Sequence, residues 1–212
     1  MVLKAMAIVL TVHLKPHLSR RCFHWAGSGG MKAAVREVAT NVADHPFVFR
    51  TDVKGYYASI HHKILMGIVG RYVRDEAVLA LLWGYLRRYV NDGRKFIDIK
   101  GISLGCPWSP LMGALYLKPV DDWMAELGCF YVRFMNDWVV LAPTRWRLRK
   151  VIKAVNEVMA DLRVEQHPDK TFIGRVARGG DFLGYWFTTE GLGLATKTVE
   201  RFAERVSQLV VF

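Results

Sequence analysis

Hydrophobic positions along the chain follow two spacings, one typical of helices and one typical of strands. In residues 31–42 the apolar positions recur at helical intervals, whereas residues 47–53 form a run rich in β-branched and aromatic side chains. The same patterns predict further helices at 76–90, at 111–127 with a kink at Pro119, at 145–163 with Thr144 as cap, and from about 198 onward. They predict further strands at 95–100, around 172 and at 182–187. We therefore predict one main α+β domain without internal repeats or disordered linkers.

Two short apolar runs in the middle of the chain are separated by only two polar residues. Residues 130–135 and 138–141 flank Asn136 and Asp137, and this pattern predicts a tight β-hairpin with polar residues at its tip. Asp52 ends the strand predicted at 47–53. Acidic side chains thus mark the ends of two predicted strands.

The first ten residues are mostly apolar, but they lack the features of a signal peptide or a membrane span. Thr11 and His13 interrupt the run and no small-residue cleavage pattern follows it. Its length is well short of the ~18 residues that a membrane span requires. We predict a buried helix here.

The charge balance narrows the class of partner. The 212 residues carry 30 Lys and Arg against 19 Asp and Glu, a formal net charge of +11 with 52% apolar positions. A folded, strongly basic chain favours polyanionic partners, of which nucleic acid and an anionic membrane are the usual examples. No long basic amphipathic segment stands apart from the predicted fold, so we expect no membrane partner.

The three cysteines, Cys22, Cys106 and Cys129, are odd in number and form no C-x-x-C pair. This argues against a disulfide framework or a thiolate zinc site and favours a reducing, cytoplasmic setting. Any bound metal is therefore expected to use oxygen ligands.

Asp52 and Asp137 fit such an oxygen site. Two divalent cations held about 3.5–4 Å apart need carboxylates from elements that lie side by side. A strand end and the tip of a neighbouring hairpin provide them once the sheet pairs. Taken alone, each aspartate is a weak signal, because an aspartate at a strand end or hairpin tip more often reflects turn chemistry.

Five segments resemble, in order, motifs of one enzyme family. Residues 52–60 (DVKGYYASI), 101–110 (GISLGCPWSP) and 131–138 (YVRFMNDW) resemble the first palm motif, the Gly-containing motif ending in Ser-Pro and the Tyr-x-Asp-Asp hairpin of reverse transcriptases of the bacterial retron and group II intron type. Residues 167–171 (HPDKT) are similar to the lysine motif that follows, and residues 182–185 (FLGY) to the primer-grip hairpin. The resemblance covers about residues 45–190 and implies a reverse-transcriptase palm, an antiparallel sheet backed by helices.

This resemblance implies an RNA-directed DNA polymerase. Such an enzyme uses Mg²⁺ or Mn²⁺ to add deoxynucleoside triphosphates (dNTPs) to a primer 3′-hydroxyl, with an RNA template and a DNA or RNA primer. Asp52 and Asp137 are then implied metal ligands, and Asn136 and Lys170 further catalytic positions. The implied nucleotide contacts are Tyr57, as a steric gate against ribonucleotides, and Gly105, which would allow close backbone approach. Ser109 and Pro110 are the implied cap and first-turn proline of the supporting helix. The implied primer or template contacts are Phe182, Leu183, Gly184, Tyr185 and Trp108.

Alternatives remain for several of these residues. Tyr57 is also explained as a core tyrosine, Lys170 as a solvent-facing lysine, and residues 182–185 as sheet core. Trp108, like the other tryptophans, is first interpreted as a core or interface aromatic.

The sequence departs from the family pattern at the hairpin. Asn136 stands where the family has the first aspartate of its pair, and a neutral amide cannot neutralise a dication. Because each 1.36 kcal/mol is about tenfold in rate, this change predicts a weak polymerase. Leu104 replaces the glutamine of retroviral relatives, and Phe134 replaces the tyrosine of the motif.

The resemblance also implies a domain division. Residues 1–46 are expected to be partial fingers, residues 47–190 the palm, and residues 191–212 a C-terminal helix leading toward a thumb that is absent from this chain. The oligomeric state is not indicated by any pattern.

Two other functions compete with polymerisation. A catalytically inactive RNA-binding or maturase-like module would keep the basic surface and lose the chemistry. A two-metal nuclease using Asp52 and Asp137 is chemically possible, but it leaves the Ser-Pro turn, Tyr57 and the primer-grip resemblance unused.

Overall fold

The computed structural model describes residues 2–87 and 100–210. Within them the α-helices are α1 (Val2–Leu14), α2 (Gly30–Asn41), α3 (Tyr56–Ser59), α4 (His62–Val69), α5 (Glu76–Leu86), α6 (Ser109–Tyr116), α7 (Lys118–Glu126), α8 (Arg145–Asp161) and α9 (Thr196–Val210). The strands are β1 (Phe47–Asp52), β2 (Phe130–Phe134), β3 (Asp137–Ala142), β4 (Phe172–Arg175), β5 (Gly180–Phe182), β6 (Tyr185–Thr188) and β7 (Gly191–Leu194). Single 3₁₀ turns lie at Lys15–His17, Pro168–Lys170 and Val176–Arg178.

The strands form two antiparallel sheets. The larger has the order β2-β3-β1-β4 and the smaller the order β5-β6-β7. In the larger sheet β1 pairs with β3 along its whole length, so that Phe47 faces Ala142 and Asp52 faces Asp137. The predicted α+β class, with an antiparallel sheet backed by helices, is confirmed.

The larger sheet lies between two apolar layers. Successive side chains of a strand point to opposite faces of the sheet, and here the side chains on both faces are buried. Phe49, Trp138 and Val140 belong to the core that includes residues of α4, α6, α7 and α8. On the other face, Val48 and Val139 join a second core with α2 and the smaller sheet.

The interruption predicted at Pro119 is present as a break between two helices. α6 and α7 meet at Leu117, because Pro119 lies in the first turn of α7 and a proline cannot continue the preceding helix. The prediction that Ser109 is a cap is wrong: Trp108 occupies that position, and the Ser109 hydroxyl instead donates to the Ser103 carbonyl at 2.7 Å. Pro110 lies in the first turn as predicted.

The N-terminal helix is less buried than predicted. Ala7, Leu10 and Leu14 pack into the core, whereas Val9 and Val12 are exposed. Only one stripe of α1 therefore contacts the rest of the domain. Among the described residues, no helix has the length and apolar character needed to cross a membrane.

Other local predictions are confirmed or shifted by one residue. Thr144 caps α8 by accepting from the Arg147 backbone N–H at 3.2 Å. The β2-β3 turn consists of Met135 and Asn136, so Asp137 begins β3 instead of forming part of the tip. The strand predicted at 95–100 and the end of the helix predicted at 76–90 fall mostly on residues 88–99, outside the described residues.

Candidate active site

Sheet pairing brings Asp52 and Asp137 together at one end of the larger sheet. They are direct partners in the β1-β3 register, and their side chains project from the same face. Asp52 is buried, and 16% of the Asp137 side chain is exposed. Two carboxylates that are remote in sequence thus share one small volume.

The Asn136 amide reaches into this volume from the turn. Its Nδ2 donates to Asp52 Oδ2 at 2.8 Å and to the Val53 carbonyl at 3.1 Å. An N–H donor therefore lies where a carboxylate oxygen and a carbonyl oxygen converge. These are the atom types that hard divalent cations bind.

Two cationic side chains complete the cluster. Arg50 donates to Asp137 Oδ2 at 3.4 Å and to Asp181 Oδ1 at 2.6 Å. Lys170 Nζ lies 3.3 Å from Asp52 Oδ1. The structure therefore brings together four of the residues singled out in the sequence, Asp52, Asn136, Asp137 and Lys170.

The Asp137 carboxyl is incompletely satisfied. Its Oδ1 is buried and has no hydrogen-bond partner among the described residues. Burial raises the pKa of Asp137 to about 6, and the attraction of Arg50 only partly opposes this effect. A buried carboxylate oxygen without a partner has the chemistry to accept a cation or a proton.

A fully buried ion pair supports the turn from below. The Arg133 guanidinium donates to both carboxylate oxygens of Asp121 at 2.8 and 2.6 Å, and Asp121 also accepts from the Tyr131 hydroxyl. Arg133 Nη1 donates to the Met135 carbonyl at 2.8 Å, where Met135 has a positive φ of 57°. This fork geometry holds the backbone of a turn that methionine rarely adopts unaided.

His24 holds the same turn from the side. Its Nδ1 accepts from the Met135 backbone N–H at 3.0 Å, so Nε2 carries the proton and donates to the Pro110 carbonyl at 2.9 Å. Burial, assisted by the nearby Arg133 charge, lowers the pKa of His24 to about 4 and keeps the ring neutral. His24 thus connects the hairpin to the first turn of α6.

Sequence reasoning missed both supports. Arg133 alternates with apolar residues in β2 and looks like an ordinary outward-facing strand residue. Its charge within the hairpin motif was the one available signal. No local pattern marks His24, because its partners are far away in the chain.

The predicted nucleotide-contacting residues lie around α3 and α6. Tyr57 is half-buried, and its ring lies against Gly113, where an added Cβ would come within 3.3 Å of Cε1. Gly105 has a φ of +81° with open space where its Cβ would be. Both the core and the nucleotide-facing interpretations of Tyr57 are compatible with this partial exposure.

Two predicted nucleic-acid contacts are wrong because the side chains are buried. Trp108 is 1% exposed and packs edge-to-face on Tyr85, so its ring cannot stack on a base. Phe182 is also 1% exposed and belongs to the core beside β1 and β3.

The hairpin predicted at 182–185 is present. Leu183 and Gly184 form its turn with positive φ, and Phe182 pairs with Tyr185. Leu183 and Tyr185 are only partly buried. A contact with an external ligand at this hairpin is therefore left to these two side chains and to the backbone of Gly184.

The donor set is compatible with a divalent cation but is weak. Asp52 and Asp137 supply two carboxylates, and the unpartnered Asp137 Oδ1 is one open position. No group of three or more His, Cys, Asp or Glu side chains able to hold a metal occurs within residues 2–87 and 100–210. A cation here would compete with the Asn136 amide for Asp52 Oδ2 and for the Val53 carbonyl.

Comparison with known proteins identifies similar chains of much greater length. A protein of Schizosaccharomyces pombe described as an uncharacterized 91 kDa protein in a cob intron is 23% identical over 128 residues, which are 60% of this chain and 16% of the relative. Protein YkfC of Escherichia coli is 27% identical over 81 residues, 38% of this chain and 21% of YkfC. The chain therefore matches less than a quarter of the length of each relative.

Solved telomerase structures share the fold. The telomerase of Candida albicans, in complex with a fragment of telomeric RNA, superposes on 92% of this chain and 37% of its own with a TM-score of 0.65 at 14% identity. The apo telomerase of Candida tropicalis covers 91% of this chain and 40% of its own with a TM-score of 0.67 at 12% identity. The family model described as reverse transcriptase (RNA-dependent DNA polymerase) matches residues 1–187. Because this match covers most of its length and the carboxylate pair lies where β1 ends beside the start of β3, the chain belongs to the reverse transcriptase family.

Proposed function

We propose that this chain is the palm of an RNA-directed DNA polymerase, and that its nucleotidyl transfer is weakened by Asn136. The observation that carries the proposal is the direct pairing of Asp52 with Asp137 in the sheet. One oxygen of this pair, Asp137 Oδ1, has no hydrogen-bond partner among the described residues. The proposed reaction joins a dNTP to a primer 3′-hydroxyl with RNA as template. The family match and the RNA-bound telomerase neighbour support this choice of reaction and template.

Asp52 and Asp137 are the proposed ligands of Mg²⁺ or Mn²⁺. A bound cation would supply positive charge where the 3′-hydroxyl and the triphosphate carry negative charge. Asn136 opposes this in two ways: it brings no negative charge, and its N–H group occupies oxygens that a cation needs. A cation at Asp52 Oδ2 would compete with this amide for the same oxygen.

We propose that the remaining residues position the substrates. Lys170, close to Asp52 and 48% exposed, would bring a positive charge or a proton to the leaving pyrophosphate. Tyr57, with Gly105, Ser109 and Pro110 nearby in the fold, would border the nucleotide. Leu183, Gly184 and Tyr185 would contact the primer.

The proposal includes the division of the chain and its setting. Residues 1–46 would belong to the fingers, 47–190 to the palm and 191–212 to a helix toward the thumb. The three cysteines are free, which supports a reducing, cytoplasmic setting. The likeness to a protein in a cob intron supports the intron type of reverse transcriptase.

Primer extension tests the proposal. The chain is incubated with an RNA template, an annealed DNA primer, dNTPs and either Mg²⁺ or Mn²⁺. We expect Asn136→Asp to increase synthesis at least tenfold, because about 1.4 kcal/mol of added charge stabilisation corresponds to that factor. Gln208→Glu adds the same charge at an exposed position on α9 and is expected to leave synthesis unchanged.

Metal binding gives a second readout of the same variants. The Asn136→Asp chain is expected to gain thermal stability on addition of Mn²⁺, whereas the Gln208→Glu chain is not. If Asn136→Asp binds primer-template and Mn²⁺ but extends no primer, the polymerase proposal fails.

The hydrogen bonds of Asn136 favour a second candidate, an RNA-binding module without turnover. The amide occupies Asp52 Oδ2 and the chain carries a net charge of +11, so binding is possible without metal chemistry. In that case RNA affinity falls steeply with salt and is the same for the chain and its Asn136→Asp variant. Affinity that is independent of salt would exclude this candidate.

A further inference from the structure

A second concave surface lies far from the carboxylate pair, between α8 and the edge strand β4. It encloses a cavity of about 360 Å³, a size within the range of small-ligand sites. Its lining comes from the first half of α8, from β4 with the 3₁₀ turn after it, and from the start of β1. We call it the arginine pocket and define it by Phe47, Arg145, Leu148, Arg149, Ile152, Ile173, Gly174, Arg175 and Arg178.

Four arginines line the arginine pocket and no acidic residue does. Arg145 and Arg149 come from α8, Arg175 from β4 and Arg178 from the following turn. All four are exposed, and none belongs to an ion pair of residues 2–87 or 100–210. Four like charges converging without counterions repel one another, and an anion would relieve that repulsion.

The interior of the arginine pocket is apolar. Leu148 is buried, Phe47 and Ile152 are partly buried, and 53% of Ile173 is exposed although it lies in a strand. A guanidinium rim around an exposed aliphatic and aromatic surface matches a ligand that has both phosphate and a flat apolar ring. An acidic peptide would need hydrophobic side chains beside its carboxylates to fill this surface.

The arginine pocket is separate from the candidate active site. Phe47 and Asp52 are at opposite ends of β1, about 16 Å apart at the usual rise of a strand. Their side chains also point to opposite faces, because side chains alternate along a strand. A ligand in one site therefore does not touch the other.

We propose that the arginine pocket binds a nucleotide of single-stranded RNA, with backbone phosphates on the four arginines and the base on Ile173 and Phe47. The choice of RNA over another polynucleotide rests on the proposed function. This site would hold RNA outside the catalytic end, as a second attachment point for the template strand. RNA binding at the arginine pocket is measurable whether or not the chain polymerises.

Binding measurements with matched charge variants test the proposal. A labelled oligouridylate RNA is titrated with the chain and with a pocket variant, in which Arg145, Arg149, Arg175 and Arg178 are all changed to Gln. The control variant changes Arg71, Arg74, Arg201 and Arg205 to Gln, which removes the same charge from exposed positions elsewhere. We expect the pocket variant to bind about tenfold more weakly, and the control variant less than threefold.

The salt dependence gives an independent measure of the contacts. Each phosphate contact on a single strand contributes about 0.7 to the slope of log affinity against log salt. The pocket variant should therefore show a slope shallower by about 2 to 3, whereas the control should keep most of its slope. Equal losses in the two variants would overturn the proposal, since binding would then follow net charge alone.

The apolar surface is tested separately. Ile173→Ala shortens an exposed side chain on an edge strand and is expected to weaken oligouridylate binding while leaving inorganic polyphosphate binding unchanged. An unchanged oligouridylate affinity would overturn the assignment of the base to this surface. Polyglutamate or oligothymidylate DNA that competes better than oligouridylate would overturn the choice of RNA.

These outcomes are distinguishable from failure of the polymerase proposal. Primer extension by Asn136→Asp reports on the carboxylate pair, and oligouridylate binding by the pocket variant reports on the arginines. If primer extension fails while oligouridylate binding still depends on the arginines, only the polymerase proposal is wrong. If primer extension succeeds while the pocket variant binds normally, only the arginine-pocket proposal is wrong.

Discussion

Two groups of charged side chains lie on either side of the β2-β3 turn, and they are built in opposite ways. Below the turn, Arg133 and Asp121 are almost completely buried and satisfy each other through two short hydrogen bonds. Above it, Asp52 and Asp137 share one face with Arg50, and both Asp137 Oδ1 and Arg50 Nε lack partners among the described residues. The lower group is complete, and the upper group has bonding capacity left over.

The two groups therefore have different roles: the lower group supports the turn, and the upper group is the one able to bind a ligand. A buried, fully paired group is costly to break but offers nothing to a ligand. A group with free oxygens is less stable by itself and is able to bind something that completes it. The turn carrying Asn136 is therefore fixed by residues that take no part in the proposed reaction.

The largest effect is expected from Asp121→Asn. This change leaves the Arg133 charge buried without a counterion, so the free energy of unfolding should fall by about 3–5 kcal/mol. Urea denaturation at neutral pH measures it. Asp122→Asn removes the exposed partner of Lys118 on the same helix and should cost less than about 1 kcal/mol. Similar losses in the two variants would show that the lower group is no special support.

His24 is expected to give the next largest effect, through pH. Burial lowers the pKa of His24 to about 4, whereas an unfolded histidine titrates near 6.5, so the unfolded chain binds more protons between these values. Stability should therefore be lost as the pH falls from about 6.5 toward 4, by about 2–3 kcal/mol for this residue.

The measurement compares urea denaturation of the chain and of His24→Gln at pH 7 and pH 4.5. His24→Gln should lose less stability on acidification, since glutamine does not titrate. His17→Gln, which removes an exposed histidine, should behave like the unaltered chain. If His24→Gln loses as much stability as the unaltered chain, the turn does not depend on a neutral His24.

The smallest effect on stability is expected in the upper group. Lys170 is half-exposed beside Asp52, so Lys170→Ala should change the free energy of unfolding by no more than about 1 kcal/mol. Primer extension by Asn136→Asp should nevertheless fall on the order of a hundredfold when Lys170→Ala is added, if Lys170 serves the leaving group. Lys153→Ala on α8 is the matched control. Full activity without Lys170 would leave it as an ordinary surface lysine.

Local sequence patterns were sufficient to predict the strands that carry the candidate active site. The β-branched run before Asp52 and the two apolar runs around Asn136 predict the strands that meet at the carboxylate pair. Pairing of those strands then follows from the resemblance between the motifs and a known family.

Other features depend on contacts between distant parts of the chain. Trp108 lies in a turn where the resemblance implied a template contact, but it packs on Tyr85 and in the core, as its first interpretation as a core aromatic predicts. The turn starts one residue earlier than predicted because Arg133 and His24 hold Met135 at a positive φ. No window of local sequence contains these partners.

The central position of β1 has a consequence for the order of folding. Its neighbours in the sheet come much later in the chain: Asn136 follows Asp52 by 84 residues, and Thr171 follows Thr51 by 120. At about 5–20 residues per second of synthesis, β1 waits roughly 6–24 s for its last neighbour. Until β4 is made, at least one edge of β1 has no permanent strand partner, so this strand needs protection on the ribosome.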